Sequence, residues 1–255
     1  MPVVYAALVP NSPLLLPGIN EDIKKGVSKT LVAYSKLSRI LKSSKAEIIF
    51  IISSLNGDEN KFCLYQDKTF KPNIKEYGDL VTSFEIKGAI GFTHSLKEFI
   101  GSQFNIPLST PRNLPIEIAI PLMNLGLDLP VSPMIIPNQS SASEIMTLSR
   151  IIFDYINSLP VKIAVIGCGL LSINKRWEIS EDQKILNNIF IKILNQGDYE
   201  NLNNIEQKLR LKNNESLITP ATFIYNIIPG NRSQTAIIAS ETSQGITHLA
   251  ANISW

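Results

Sequence analysis

The chain has 255 residues, a length that suits one large α/β domain or two small ones. Hydrophobic residues make up 44% of it and charged residues 18%, so it carries enough apolar material for a sizeable core. The formal net charge is only +2, without long runs of either sign, whereas proteins that bind nucleic acid usually concentrate their basic residues in a patch. We therefore expect no nucleic-acid partner.

Membrane and secretion signals are also missing from the sequence. The longest apolar run, IAVIGCGLLSI, is about half as long as the roughly 20 apolar residues that a membrane-spanning helix needs. The N-terminus lacks the positive region of a signal peptide, and prolines interrupt its apolar stretch. Cys63 and Cys168 lie in different strand-like segments and are expected to be reduced thiols. We predict a cytoplasmic protein with no membrane partner.

Strand-like and helix-like segments alternate along the chain. Continuous apolar runs such as AEIIFIIS and VKIAVIGCG are typical of strands buried on both faces, and apolar residues three or four apart indicate helices. Asn20 is a candidate N-cap of the first helix. In chain order the sequence predicts strand 3–9, helix 20–45, strands 46–53, 62–66 and 80–88, helices 93–102 and 116–127, strand 131–137, helix 141–159, strand 161–169, helices 180–196, 198–211 and 220–228, and strands 233–241 and 245–255.

This alternation predicts a single α/β domain that spans residues 1–255. No internal repeat, low-complexity linker or shift in composition marks a domain boundary. Alternating strands and helices pack as a mostly parallel or mixed central sheet with helices on both faces. The expected architecture is therefore a three-layer α/β/α fold.

Few residues in the chain could carry chemistry. His94 and His248 are the two histidines, and we expect His94 to be exposed on a helix and His248 to lie in the last strand. No zinc pattern, GxSxG elbow, GxGxxG loop or Walker loop occurs. Cys168, in a GCG segment at the end of a buried strand, is either a nucleophile or a residue between glycines that allow close packing; we favour close packing because no base pairs with it.

A polar pair marks the end of the first predicted strand. Asn11 and Ser12 stand between Pro10 and Pro13 in the stretch VPNSPLLLPG. The end of a parallel strand is where an α/β protein places a ligand or a catalytic group. Asn and Ser are also ordinary turn formers, and we favour a turn in which the Asn11 side chain caps backbone groups.

Five segments, taken in order, resemble one family. They are PNSPLLLPG, AEIIFIIS running into SLNG, LPIEIAIPL, VKIAVIGCGLLSI and ASETSQG. They are similar to the P-H-P-P-L, S-P-H-G, L-D-H-G, S-G-D-L-S-H and S-Y-E-G-P-F-G segments of the LigB-like subunit of class III extradiol ring-cleavage dioxygenases, to which Memo-type proteins are related. The resemblance covers nearly the whole chain and implies a LigB-like domain.

The family holds a ferrous ion with two histidines and one glutamate, and further histidines move protons during ring cleavage. Carried over to this chain, the two histidine ligands fall at Asn11 and at Leu55, with Asn56 as the alternative if the register shifts. The glutamate ligand is retained as Glu241. The resemblance therefore implies that most of the metal ligands have been lost.

The catalytic positions that the resemblance implies have changed as well. The Asp-His pair of the family falls at Pro115 and Ile116, and the aspartate and histidine of its fourth segment fall at Leu170 and Ile173. Isoleucine and leucine can neither bind a metal nor carry a proton. We therefore expect no catalytic residue at Ile116 or Ile173, and we expect Leu55, Ile116, Leu170 and Ile173 to pack together and fill the former cleft.

Two functional hypotheses follow. The first is a pseudoenzyme that has lost Fe(II)-dependent catechol cleavage, needs no cofactor, and serves as a scaffold that binds a small molecule or a protein. The second is an active metal-dependent oxidoreductase, dioxygenase or hydrolase with a rebuilt site around Glu241, in which Glu117 and the Asn11 oxygen hold Mg²⁺ or Ca²⁺ and His248 adds a ligand.

Each residue of the second hypothesis also has a plain structural interpretation. Glu117 is then a first-turn acidic residue favoured by the helix dipole, and His248 is a strand histidine with satisfied hydrogen bonds. Because family members are often multimeric, a homo-oligomer or a hetero-oligomer with an active relative is consistent with either hypothesis.

Overall fold

The computed structural model describes residues 2–55, 61–77, 83–174, 178–228 and 233–255. In these ranges the chain forms eleven strands and eight α-helices. The strands are β1 (Val3–Val9), β2 (Ile48–Leu55), β3 (Cys63–Tyr65), β4 (Thr69–Phe70), β5 (Ile86–Lys87), β6 (Leu108–Ser109), β7 (Val131–Pro137), β8 (Ile163–Cys168), β9 (Ser172–Ile173), β10 (Gln234–Ser243) and β11 (Ile246–Ser254).

The α-helices lie between groups of these strands along the chain. They are α1 (Glu21–Gly26), α2 (Ser28–Ser44), α3 (Ile90–Ile100), α4 (Ile116–Leu125), α5 (Ala142–Asn157), α6 (Glu181–Gln196), α7 (Gln207–Lys212) and α8 (Ile218–Ile227). Short 3₁₀ turns occur at Pro13–Leu15, Ile74–Tyr77 and Tyr199–Asn204. In the described ranges, no helix is both long enough and apolar enough to cross a membrane.

The strands form one nine-stranded mixed sheet and a small two-stranded ladder. The order in the large sheet is β10-β11-β1-β8-β2-β7-β3-β6, and β9 pairs with β11. Its centre is parallel, because β1, β8, β2 and β7 pair side by side in the same direction. Antiparallel pairs join β11 to β1 and β3 to β7 at either side of this centre. The predicted three-layer α/β/α fold with a mixed sheet is confirmed.

Helices cover both faces of the sheet, and the core is divided accordingly. One apolar cluster joins the sheet to α3, α5, α6 and α8, and the other joins it to α2 and α4. Successive residues of a central strand alternate between the clusters, so that Ala6 and Leu8 face the first and Ala7 and Val9 the second. This two-sided burial explains why the central strands are apolar without interruption.

Three predicted elements differ from the structure. The helix predicted over 20–45 is divided at Val27, although Asn20 caps its start as expected. Gly26, a poor helix former, ends α1 where a Cβ would collide with the Ser243 hydroxyl of β10. The helix predicted over 198–211 is a 3₁₀ turn followed by α7, and the strand predicted over 80–88 is only Ile86–Lys87, with 80–82 outside the described residues.

The segment between α7 and α8 packs directly on the carboxyl end of β8. The Ser216 amide donates to the Leu170 carbonyl, and the Leu170 amide donates to the Ser216 hydroxyl, each at 2.9 Å. A Cβ on Gly169 would overlap the Ser216 carbonyl, and one on Gly167 would overlap Ile224. The GCG segment therefore allows close packing, as the sequence predicted.

A buried ion pair holds this segment in place. Arg210 Nε donates to Glu215 Oε2 at 2.9 Å, and the Glu215 side chain is completely buried. The other carboxylate oxygen of Glu215 accepts from the Ile218 amide, while the Arg210 guanidinium also donates to Asn138 and to Thr219. Burial raises the pKa of Glu215, and Arg210 opposes that rise. The pair thus connects α7 and α8 to the end of β7.

We predict that Arg210→Met lowers the free energy of unfolding by about 3 kcal/mol at neutral pH, because it leaves a buried carboxylate without its cation. Urea denaturation would measure the loss. The matched control is Lys184→Met, which removes an exposed ion pair with Glu181 and is expected to change stability very little. Equal stabilities of the Arg210→Met variant and the unsubstituted protein would show that the pair does not hold the segment.

Candidate functional site

The carboxyl ends of three central strands lie side by side at one edge of the sheet. Cys168, the last residue of β8, is the register partner of Val9 at the end of β1 and of Ser53 near the end of β2. In open α/β sheets this edge is where ligands bind. The positions that the family resemblance singles out also lie along this edge.

Polar side chains at this edge point toward α2 and α4. In a strand, side chains two residues apart point to the same face of the sheet. Three polar residues each stand two positions from an apolar residue of the α2–α4 core, and so they share its face. The three pairs are Ser53 with Ile51, Glu241 with Ala239, and His248 with Ala250.

Ser12, rather than Asn11, makes the turn after β1. The Ser12 hydroxyl accepts from the Leu14 amide at 3.2 Å and caps the 3₁₀ turn. The Tyr34 hydroxyl of α2 donates to the Pro10 carbonyl and holds the loop against the helix. Asn11 is 2% exposed, and its side-chain nitrogen has no hydrogen-bond partner in the described part of the chain. The expectation that Asn11 caps backbone groups was therefore wrong.

Glu241 and His248 face each other across the β10–β11 hairpin. They are register partners, and Glu241 Oε1 accepts from the Thr30 backbone amide of α2 at 2.6 Å. The register of β1 and β11, with Leu8 opposite Ala251, brings Asn11 to the level of His248. Glu241 and His248 therefore lie side by side next to α2, and Asn11, two residues beyond the end of β1, lies at the same edge of the sheet.

His248 is buried, but its hydrogen bonds are not satisfied. Its exposure is 0%, and neither ring nitrogen has a hydrogen bond of good geometry to a described residue. Burial lowers the pKa of His248 to about 4, against the opposing effect of the Glu241 carboxylate and backbone. The ring is therefore neutral at physiological pH. The expectation of a satisfied strand histidine was wrong.

Unsatisfied buried polar groups are concentrated near this edge. Each such group costs about 1–3 kcal/mol unless water or a ligand completes its hydrogen bonds. Among the described residues, the buried side-chain atoms without a partner are Asn11 Nδ2, Thr30 Oγ1, Ser53 Oγ, Ser54 Oγ, Gln66 Oε1 and both ring nitrogens of His248. All but Gln66 belong to β2, the hairpin, the turn after β1 or the first turn of α2.

Cys168 is unsuited to nucleophilic chemistry. Burial raises the pKa of its thiol to about 12; the nearby Ser53 hydroxyl opposes the rise, and the Glu117 carboxylate adds to it. The thiol donates to the Ile52 carbonyl at 3.4 Å. Cys63 and Cys168 do not form a disulfide with each other, as expected.

The apolar residues at the former catalytic positions do not all pack together. Ile116 is buried in the α2–α4 core, and Leu170 is buried at the end of β8. Ile173 is half-buried and lines a surface cleft, so the prediction that it fills the former site was wrong. The Leu55 side chain and Asn56 lie outside the described residues.

The residues of the rebuilt metal site are only partly brought together. Glu117 is in the first turn of α4, as expected of a helix-dipole residue, and lies near Cys168 and Tyr77. No three His, Cys, Asp or Glu side chains gather as a metal-binding group within the described ranges. His94 is exposed on α3, away from this edge of the sheet.

Sequence reasoning missed two residues of the site. Ser53 could have been noticed as a polar residue that ends a continuous apolar run. Thr30 gave no signal, because its amide meets Glu241 only through tertiary packing of α2 on the hairpin.

Comparisons with known proteins support the fold. No protein-family model matches the chain, and no curated protein matches it. The crystal structure of uncharacterized protein JW3007 from Escherichia coli K12 is similar, with a TM-score of 0.69 and 13% sequence identity. The match covers 98% of this chain and 100% of that chain. The two proteins share the architecture along their whole lengths.

We predict that His248 makes the protein less stable in acid. Its pKa is lower when folded than the ordinary 6.5, so the unfolded chain binds the proton more tightly. The stabilisation is fully present above about pH 6.5 and is lost as the pH falls toward 4, by about 3 kcal/mol in total.

Urea denaturation of the His248→Gln variant across this pH range would measure the effect. Below about pH 6.5, the stability of the His248→Gln variant should fall much less than that of the unsubstituted protein. The matched control His94→Gln, at an exposed position, should show the same fall as the unsubstituted protein. An unchanged pH profile in His248→Gln would contradict the assignment.

Proposed function

We propose that this chain is a LigB-like, Memo-related protein that has lost Fe(II)-dependent catechol cleavage and acts as a binding scaffold. The observation that carries the proposal is the set of donors at the edge of the sheet. Asn11 and Leu55 occupy the two histidine positions that the resemblance implies, and Glu241 alone keeps the family residue.

These residues do not fit a ferrous ion. Fe(II) in such sites is held by two imidazoles and a carboxylate, and Leu55 offers no donor atom. Glu241 already accepts from the Thr30 amide through Oε1. His248 is the one imidazole beside Glu241, and it comes from a position that the resemblance does not assign to a ligand.

The proton-transfer groups of the family reaction are also replaced. Ile116 and Ile173 stand where the resemblance implies histidines, and neither can accept or deliver a proton. Since the loss of a single supporting partner typically costs about 10- to 100-fold in metal affinity or activity, the combined loss of ligands and proton carriers favours a non-catalytic role.

The rebuilt cation site is the less favoured alternative. Its supporting observation is the pairing of Glu241 with His248 at the edge of the sheet where Asn11 also lies. Its weakness is that no three acidic, histidine or cysteine side chains of the described residues gather as a metal-binding group, so Glu117 does not complete a site with Glu241 and His248.

We predict that the purified protein, exposed anaerobically to excess Fe(II) and then desalted, retains far less than one iron per chain by inductively coupled plasma mass spectrometry. The double variant Asn11→His/Leu55→His, which supplies imidazoles at both positions that the resemblance assigns to histidine ligands, should retain more iron. A second variant with Asn56→His in place of Leu55→His covers the shifted register.

The matched control is Asn11→Gln/Leu55→Met, which changes the same positions without adding an imidazole. Circular dichroism would establish that each variant is folded. Stoichiometric iron in the unsubstituted protein would overturn the proposal, and stoichiometric Mg²⁺ or Ca²⁺ would favour the rebuilt site.

A further inference from the structure

A cleft of about 710 Å³ opens at the side of the sheet formed by β3 and β6, which is opposite the side formed by β10 and β11. We call it the β3–β6 cleft, since both strands contribute to its wall. Ile135 of its lining is the register partner of Ser53, and Pro115 of its lining is the N-cap of α4. Its volume is in the range typical of sites for small molecules.

The walls of the β3–β6 cleft are largely apolar and rigid. Three prolines line it, and the fixed φ angles of Pro111 and Pro115 limit how far the loop between β6 and α4 can rearrange. A preformed apolar wall reduces the entropy lost when a ligand binds. The apolar lining residues are Cys63, Tyr65, Pro107, Leu108, Pro111, Pro115 and Ile135.

The charged groups of the cleft all carry one sign. Lys61 and Arg112 line it, together with the polar Ser109 and Asn113, and no carboxylate does so among the described residues. Neither cation forms an ion pair within the described ranges. Such a cation, next to an apolar wall, suits a ligand that has an anionic group attached to an apolar body.

We propose that the β3–β6 cleft binds a small organic anion, with the apolar body against the proline wall and the anionic group at Arg112 and Lys61. The planar guanidinium of Arg112 can donate two parallel hydrogen bonds to a carboxylate or a phosphate, and Lys61 adds a second positive charge. Carboxylates and phosphate esters share this chemistry. The site is distinct from the edge that carries Asn11, Glu241 and His248.

Four probes with the same ring separate the contributions of charge and of apolar contact. Benzoate and phenyl phosphate are anionic, benzamide is neutral, and benzylamine is cationic. We expect the tighter anion to bind with a Kd on the order of 1 mM, as befits a fragment of this size. Amide chemical shifts in nitrogen-15 NMR spectra should then move at residues 61–65 and 107–115. The stronger of the two anions identifies the preferred group.

Charge-neutral variants locate the site. Arg112→Gln should weaken binding of the anion about tenfold or more, and Lys61→Gln should weaken it less, because the lysine donates as a point charge. Arg150→Gln is the matched control, since it removes an exposed arginine from α5 on the other face of the sheet. These residues are exposed, so the variants are expected to fold.

Three results would overturn the proposal: neither anion binds, benzamide binds as tightly as the anions, or Arg112→Gln leaves the anion affinity unchanged. Because the titration uses no metal, its failure would leave the iron measurement unaffected, and the two proposals can fail separately.

Discussion

The side-by-side parallel pairing of β1, β8, β2 and β7 is the constraint on which the rest of the structure depends. These strands are covered by helices on both faces, so their interiors must be apolar and their backbone groups must pair with one another. Polar side chains can therefore collect only where the strands end. Parallel pairing brings those ends to the same edge, where residues distant in sequence meet.

The polar edge of the sheet contains buried groups that cost free energy. A stable core would normally exclude a neutral, fully buried histidine such as His248, and an amide such as that of Asn11, whose nitrogen has no partner among the described residues. Tertiary contacts from α2 to Pro10 and to Glu241, and the buried pair Arg210–Glu215 at the neighbouring strand ends, hold this arrangement together. The edge thus combines a rigid frame with unsatisfied hydrogen-bonding capacity.

Most of the fold could be predicted from local patterns, because continuous apolar runs and helical periodicity directly reflect two-sided burial. The predictions fail where a contact between residues far apart in the sequence determines the local structure. Helix 20–45 divides at Val27, next to the point where Gly26 packs against Ser243 of the last hairpin, a contact that no local pattern reveals. The same distinction between local pattern and distant contact applies to the candidate site. The family resemblance singled out Glu241 from the sequence, whereas the missing hydrogen-bond partners of His248 among the described residues depend on what packs around it in three dimensions.

The proposed loss of the iron centre and the proposed anion site describe two neighbouring parts of one molecule. Glu241, the charged residue of the described sheet edge, is acidic, whereas the two charged residues that line the β3–β6 cleft, Lys61 and Arg112, are basic. Register pairing of Ser53 with Ile135 places the two regions on adjacent strands. Under the two proposals together, the chain binds an organic anion without a metal.

The central claim is that the donors around Glu241 do not hold iron. The most direct test is an anomalous difference map at the iron absorption edge, from crystals soaked anaerobically in Fe(II). The account predicts no peak between Asn11, Glu241 and His248. A peak there, within coordination distance of the Glu241 carboxylate and the His248 ring, would contradict it.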